Sequence, residues 1–172
     1  HKGKTIFVGD TSVHEYPTSE QMAEIAISTA RVVRLFGFEP KVAFVSHSTF
    51  GQPLTSRTKH IRKAVDILKE KKVDFEFDGD MQPDVALNPE YKELYPFSKL
   101  VGNANILIMP GQHSAAISYK MMKTLGDTKV IGPLLIGLGL PVEIAPLRSS
   151  TSEIINLASI AAYSADVIKY IK

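Results

Sequence analysis

The sequence GPLLIGLGLPVEIAPLRSSTSEIINLASIAA, residues 132–162, predicts a strand, a tight turn, a second strand and a helix in succession. Continuous apolar runs at 133–137 and 142–145 are typical of strands that are buried on both faces of a sheet. A helix follows, because hydroxyls at 150–152 can cap it and Glu153 suits the positive end of its dipole. A helix start of this kind is a common place to hold an anion. We therefore expect a ligand site in this region.

The rest of the chain alternates apolar strands with amphipathic helices. Strands are predicted at 4–8, 41–46, 75–78 and 105–109, and helices at 19–36, 57–71, 113–125 and 152–171. The first helix has a capping-box start at Thr18–Gln21, and the last is expected to pack through Ile154, Ile155, Ala158, Ala162 and Ile168. This alternation predicts a three-layer α/β/α fold with a mainly parallel sheet. In such sheets ligands bind beyond the carboxyl ends of the strands, here at loops 10–17, 47–56, 78–84 and 109–115.

Composition excludes several classes of function. Cysteine is absent, so thiolate catalysis, disulfides and cysteine metal sites are excluded, and a reducing, cytoplasmic location is expected. A net charge of +2 gives no case for nucleic-acid binding. The basic run 57–63 is interpreted as a solvated helix face, with contact to a ligand phosphate as the alternative. No apolar stretch approaches the length that a membrane helix needs, and no signal peptide opens the chain.

The start of the chain suggests that it is part of something longer. His1 replaces an initiating Met, and the sequence enters a strand almost at once. We therefore expect residues 1–172 to form one unit whose upstream part is missing, and that part can hold half of the site.

The loop 46–51, with the sequence SHSTFG, follows a strand and is the first candidate for ligand contact. The hydroxyls of Ser48 and Thr49, together with free backbone amides, suit an oxyanion such as phosphate. The alternative is a strand-end turn closed by local hydroxyl hydrogen bonds. His47 is disfavoured as a catalytic base, because nothing in the sequence pairs it with a nucleophile.

Carboxylates after the third strand raise the possibility of a metal site. Asp78, Asp80 and Asp84, with Asp10, have ligand chemistry suited to a divalent cation, but two Asp residues around one Gly are also a common turn. We favour the turn, and the five histidines lack paired zinc-ligand spacing. Walker A, G-x-G-x-x-G and G-x-S-x-G motifs are absent, and the glycines at 132–139 are interpreted as turn residues. No metal is therefore expected in this chain.

Several blocks resemble the phosphate acetyl/butyryl transferase family, in the family's order and over nearly the whole chain. They are DTSVHEYPTSEQMAEIAISTA (10–30), FGFEPKVAFVSHSTFG (36–51), DGDMQPDVAL (78–87), ANILIMPG with ISYKMM (104–122) and IGPLLIGLGLPVEI (131–144). The resemblance implies a fold like that of isocitrate and isopropylmalate dehydrogenases, and it corresponds to the C-terminal half of the family's module. Members are free-standing transferases between coenzyme A and phosphate, or C-terminal regulatory domains of bacterial NADP-dependent malic enzymes that bind acetyl-CoA.

The resemblance also separates these two groups by their chemistry. Free-standing transferases carry a Ser-Arg pair before the last helix and an Asp base six residues later. Pro146, Leu147 and Glu153 stand at those positions here. Pro and Leu cannot neutralise a phosphate, so no catalytic residue is expected. Two alternatives stay open: Arg148 in the Arg role after a shift of one residue, and Glu153 as a helix-start residue only, which we favour.

These residues lead to one expectation with two rivals. The expected function is a regulatory and oligomerisation domain of an NADP-dependent malic enzyme, binding acetyl-CoA without acetyl transfer. Its ligand contacts would be Ser48, Thr49, Gly132, Pro133, Arg148 and Glu153. NADP and a divalent metal, Mg or Mn, would belong to the upstream part of the parent, and a homo-oligomer of at least two copies is expected. The rivals are an active phosphate acetyltransferase and a purely structural oligomerisation module.

Overall fold

The computed structural model describes residues 3–10, 12–126 and 128–171, including all of their side chains except those of Lys92 and 167–171. Four strands form one sheet: β1 (Phe7–Gly9), β2 (Lys41–Val45), β3 (Glu76–Met81) and β4 (Ile106–Ile108). Their order is β1-β4-β2-β3, and every neighbouring pair is parallel. The predicted parallel α/β architecture is therefore confirmed.

Five α-helices accompany the sheet in the described residues: α1 (Ser19–Leu35), α2 (Ser56–Lys71), α3 (Pro83–Leu87), α4 (Gln112–Leu125) and α5 (Thr151–Ile171). A 3-10 helix spans Pro89–Leu94. The predicted start of α1 is confirmed, since Thr18 and Gln21 form a reciprocal capping box. A second box, between Thr55 and Thr58, starts α2. No helix in the described ranges is both long and apolar enough to cross a membrane.

Successive residues of a strand point to opposite faces of the sheet, so each strand contributes side chains to both faces. Val42 and Phe44 pack with α1 and α2 residues in one apolar cluster, whereas Ala43 and Val45 pack in another with Met81. All five of these side chains are at most 1% exposed. The second cluster also includes residues of α3 and the first turn of α4. Both clusters together fix the β2 and β4 strands at the centre of the molecule.

The end of β3 corrects the sequence interpretation of Asp78-Gly79-Asp80 as a turn. These residues lie inside the strand, and the register with β2 shifts so that Asp80 is an extra, bulged residue between Gly79 and Met81. Gly79 approaches β2 closely, since a Cβ there would lie 2.8 Å from the Cβ and carbonyl oxygen of Phe44. The turn prediction failed because pairing with β2 is a non-local contact that outweighs the local preference of Asp and Gly.

Two further expectations fail in the C-terminal part. The segments 133–137 and 142–145 are not strands, because no neighbouring strand in the described residues pairs with them. In α5, Ile154 and Ile155 are 50% and 59% exposed, and Ala158 and Ala162 are exposed as well. Leu157 is the buried residue instead, and the side chain of Ile168 lies outside the described residues. The part of α5 whose side chains are described therefore has little apolar surface to pack against among the described residues.

Candidate functional site

The loop 46–52 is attached closely to the carboxyl end of β3. The Ser46 amide donates to the Met81 carbonyl at 2.9 Å, and the Phe50 amide donates to the Asp80 carbonyl at 2.7 Å. The Gln82 side chain adds a hydrogen bond from Nε2 to the carbonyl of His47 at 3.0 Å. The carboxyl ends of two adjacent strands are thus joined into one edge, as parallel topology requires.

A buried Ser–Asp pair lies at the centre of this edge. The Ser48 hydroxyl donates to Oδ2 of Asp80, and both side chains are fully buried. The other oxygen of Asp80, Oδ1, has no hydrogen-bond partner among the described residues. A buried carboxylate has lost its hydrogen bonds to water, and protein donors must replace them. The Ser48 hydroxyl is therefore a main source of polar stabilisation for Asp80. The sequence indicated both residues but not their pairing.

Thr49 is also engaged within the fold. Its Oγ1 accepts a hydrogen bond from the Gln82 amide at 3.2 Å, and the residue is 6% exposed. The hydroxyls of Ser48 and Thr49 therefore point into the protein, as expected for a turn closed by local hydroxyl hydrogen bonds at the end of a strand. The side chain of His47, between Ser46 and Ser48, is exposed. Contact of Ser48 and Thr49 with a ligand stays a prediction.

The loop after β1 is closed by its own carboxylate. Asp10 Oδ2 lies 2.5 Å from Nδ1 of His14, and the same side chain accepts hydrogen bonds from the amides of Val13 and His14.

The carboxylate of Asp78 also has hydrogen-bond partners within the fold, because its Oδ2 accepts from the Lys99 amide at 2.6 Å and from the Ser98 hydroxyl. Within the described ranges, no three His, Asp or Glu residues converge as a metal site would require.

The second group of predicted site residues lies near the start of α5. Gly132, Ser149, Glu153 and Asn156 line a narrow cleft. Gly132 has a φ of +118°, a conformation that favours glycine, and a Cβ there would meet the Leu134 amide nitrogen at 3.1 Å. The structure therefore brings Gly132 and Glu153 together in one cleft, while their contact with a ligand stays a prediction. Pro133 is half-buried beside Gly132, and the side chain of Arg148 is exposed.

Glu153 is held in a dense hydrogen-bond arrangement. Its Oε1 accepts from Lys123 Nζ at 2.6 Å, and its Oε2 accepts from the Ser150 amide at 2.8 Å and the Ser150 hydroxyl at 3.0 Å. The Lys123 hydrogen bond, followed by those from Ser150, lowers the pKa of Glu153 to about 2. Glu153 thus acts as a helix-start residue in a capping arrangement with Ser150. The sequence offered no signal for Lys123, which lies 30 residues earlier.

Four of the six predicted ligand-contact residues fall into two clusters, and Pro133 and Arg148 belong to neither. The bonds of the 46–52 loop run to β3 and to Arg62 of α2, whereas those of Glu153 run to Lys123 and Ser150. Ser48 and Thr49 belong to the first cluster, and Gly132 and Glu153 lie in the second.

A cavity of about 270 Å³ beside β3 was not anticipated from the sequence. Its lining combines the rings of Phe50 and Phe97, which meet edge to face with centroids 4.9 Å apart, with Arg62, Lys69 and Lys99. Arg62 belongs to the basic run 57–63, and its Nη1 donates to the Phe50 carbonyl at 3.3 Å. The run is therefore not solely a solvated face.

Comparison with known proteins places this geometry in a family. The profile of the family described as Phosphate acetyl/butaryl transferase matches residues 1–162. The chain belongs to this family. The sequence is 50% identical over 164 residues to the NADP-dependent malic enzyme of Rhizobium meliloti, covering 95% of this chain and 22% of that protein. It is 36% identical to the phosphate acetyltransferase of Bacillus subtilis, covering 91% of this chain and 49% of that enzyme.

A solved structure agrees with the sequence matches. The phosphotransacetylase of Streptococcus pyogenes superposes with a TM-score of 0.90 at 34% identity, over 95% of this chain and 50% of that chain. The chain thus spans about a fifth of the malic enzyme and about half of each transacetylase.

Proposed function

We propose that this chain is the C-terminal, transacetylase-like regulatory and oligomerisation module of a cytoplasmic NADP-dependent malic enzyme, and that it binds acetyl-CoA without transferring the acetyl group. The observation that carries the proposal is the 50% identity to a malic enzyme of which the chain covers only 22%. Identity to the phosphate acetyltransferase of Bacillus subtilis is lower, at 36%. Malate decarboxylation, NADP and the Mg or Mn ion would belong to the upstream part of the parent.

The state of Glu153 supports loss of transferase chemistry. A general base works best when its pKa lies near the operating pH. The hydrogen bonds from Lys123 and Ser150 hold the pKa of Glu153 at about 2, so the carboxylate has little tendency to accept a proton near neutral pH. The residues at the family's Ser-Arg positions, Pro146 and Leu147, are apolar or lack a donor, and the Leu147 side chain is fully exposed.

Acetyl-CoA would act as an effector by preferring one state of the assembly. An effector shifts malate turnover only as far as its affinities for the two states differ. The assembly is proposed to be at least a dimer through α5, whose segment 155–165 is rich in small and apolar residues. Ile155 is 59% exposed, and Ala158 and Ala162 are exposed as well, which leaves this face available. A monomer in light scattering at micromolar concentration would contradict this part.

The test of ligand and activity uses the intact malic enzyme. Calorimetric titration with acetyl-CoA is expected to give saturable binding, while a thiol-release assay with acetyl-CoA and phosphate gives no free coenzyme A. The Arg148→Ala variant is expected to weaken binding about tenfold if its guanidinium contacts a phosphate. Arg31→Ala is the matched control, because Arg31 is an exposed residue of α1 that lies outside both predicted clusters and outside the basic run 57–63.

Two outcomes would favour the rivals. Thiol release that disappears in Arg148→Ala or Glu153→Ala would show an active phosphate acetyltransferase, a function consistent with the 36% identity to the Bacillus subtilis enzyme. Absence of acetyl-CoA binding to the intact enzyme would leave a structural oligomerisation module.

A further inference from the structure

The cavity beside β3 has an aromatic wall. Its volume of about 270 Å³ suits a small molecule, since small-molecule sites occupy about 300–1,000 Å³. The rings of Phe50 and Phe97 form this wall, and the Tyr95 ring lies 5.5 Å from that of Phe50, centroid to centroid. Phe97 is 65% exposed, so its ring has room for contact with another flat group. None of the residues that line the cavity is among the six predicted acetyl-CoA contacts.

Arg62 of α2 is held at this cavity by the loop 46–52. Its Nη1 donates to the Phe50 carbonyl at 3.3 Å. A Cβ at position 51 would lie 2.6 Å from the same nitrogen, so Gly51 leaves the space that the guanidinium fills. Arg62 forms no ion pair within the described residues. Its other N–H groups are therefore available to an anionic ligand.

The charges that line the cavity favour a ligand with one negative charge. Three cations and two carboxylates line it, which leaves a net charge of +1. Lys69 Nζ lies 2.7 Å from Oδ1 of Asp66, so these two charges neutralise each other. The remaining charges are those of Arg62, Lys99 and Asp78, and Asp78 already accepts hydrogen bonds from protein donors. A cationic ligand would meet three positive side chains, whereas a monoanion balances the site.

We propose that this cavity binds a small aromatic monocarboxylate, with its ring against Phe97 and its carboxylate on the guanidinium of Arg62. Aromatic rings associate favourably in offset or edge-to-face contact. A guanidinium can form two parallel hydrogen bonds to a carboxylate, which fixes the direction of the ligand. The ammonium of Lys99 adds a second positive charge at the cavity. This inference goes beyond the proposed function and does not depend on acetyl-CoA.

Calorimetric titration of the intact parent protein with 2-naphthoate tests the site. Saturable binding is expected, with a Kd of about 1 mM or lower for a ligand of this size. The neutral 2-naphthalenemethanol and the cationic 2-naphthylmethylamine are expected to bind at least about tenfold more weakly, because neither offers a carboxylate to Arg62. Equal binding of the alcohol would overturn the inference in favour of apolar adsorption. Tighter binding of the amine, or no saturable binding of 2-naphthoate, would overturn it as well.

Two pairs of variants locate the binding. Arg62→Gln is expected to weaken 2-naphthoate binding at least about tenfold. Its control is Lys59→Gln, an exposed residue on the same helix that does not line the cavity, for which a change within about twofold is expected. Phe97→Ala is expected to weaken binding about fivefold. Its control, Leu94→Ala, removes a 69% exposed side chain outside the lining and should leave the affinity unchanged.

Urea unfolding of each variant provides the folding check. Equal effects within either pair would show that 2-naphthoate binds elsewhere, and the inference would then be wrong. If Arg62→Gln fails to fold, the comparison of Phe97→Ala with Leu94→Ala still decides, because both side chains are exposed.

Discussion

Lys123 on α4 and Glu153 on α5 form a direct ion pair, with 2.6 Å between Nζ and Oε1. The pair joins two helices that are separated by residues 126–150 in the sequence, and it also fixes the carboxylate that caps α5 through Ser150. Glu153 therefore helps to hold the C-terminal part of this chain together.

The first prediction concerns the pKa of Glu153. In Lys123→Met the pKa of Glu153 should rise from about 2 towards the ordinary value of 4.5, because the Lys123 hydrogen bond is the largest cause of the lowering. When folding lowers the pKa of a carboxyl, its ionised form stabilises the folded state at pH values above the unfolded pKa. The stabilisation by Glu153 is therefore lost as the pH falls from about 4.5 to about 2. NMR titration of the Glu153 side-chain carbon measures it.

The control for this titration is Lys120→Met, on the same helix, whose ammonium lies 6.0 Å from the ring centre of Tyr119. Its removal should leave the Glu153 titration in place. An unchanged Glu153 pKa in Lys123→Met would show that the ion pair does not persist in solution.

The second prediction concerns the buried pair at the end of β3. Ser48→Ala should lower the free energy of unfolding by about 2–3 kcal/mol, because the buried Asp80 carboxylate loses its hydroxyl donor. Urea denaturation measures the change. The double variant Ser48→Ala, Asp80→Ala should be less destabilised than the sum of the two single variants, since it leaves no buried charge unpaired.

Ser98→Ala is the matched control for Ser48→Ala. Its hydroxyl also donates to an Asp, but Asp78 keeps the Lys99 amide at 2.6 Å. A loss of about 1 kcal/mol or less is expected for Ser98→Ala. Equal losses at Ser48 and Ser98 would contradict a special role for the buried pair.

The third prediction concerns the core. Phe44→Ala should destabilise the protein by about 3–5 kcal/mol, because the ring is fully buried between β2 and the first helix layer. Val101→Ala, at a side chain that is 70% exposed, should change stability by no more than about 0.5 kcal/mol. Thermal and urea unfolding distinguish the two, and a similar loss at both sites would mean that the core is assigned wrongly.

The fourth prediction concerns the start of α1. Thr18→Ala should cost about 1 kcal/mol, since the Thr18 hydroxyl accepts from the Gln21 amide at 3.1 Å and no other oxygen replaces it. Thr18→Ser keeps the oxygen and should be close to neutral. If Ser and Ala at this position are equally destabilising, the methyl group rather than the cap is responsible.

Local signals explain where sequence reasoning succeeded. The capping box at Thr18 and the apolar positions of α1, such as Met22 and Val33, depend on contacts within a few residues or on a helical period. The order of strands and helices likewise predicted a parallel sheet before any pairing was known.

What the sequence by itself determined is thus the class of fold, the helix starts and the approximate position of each β-strand in the four-stranded sheet, since these follow from periodicity and short-range hydrogen bonds. Tertiary structure alone decided that Asp80 lies in a bulge against Ser48, that Lys123 binds Glu153, and that 133–145 has no strand partner among the described residues. The physical reason is that each of these depends on groups far apart in sequence. A strand, a buried charge and an ion pair are stable only when a partner is in place, and local sequence does not specify that partner.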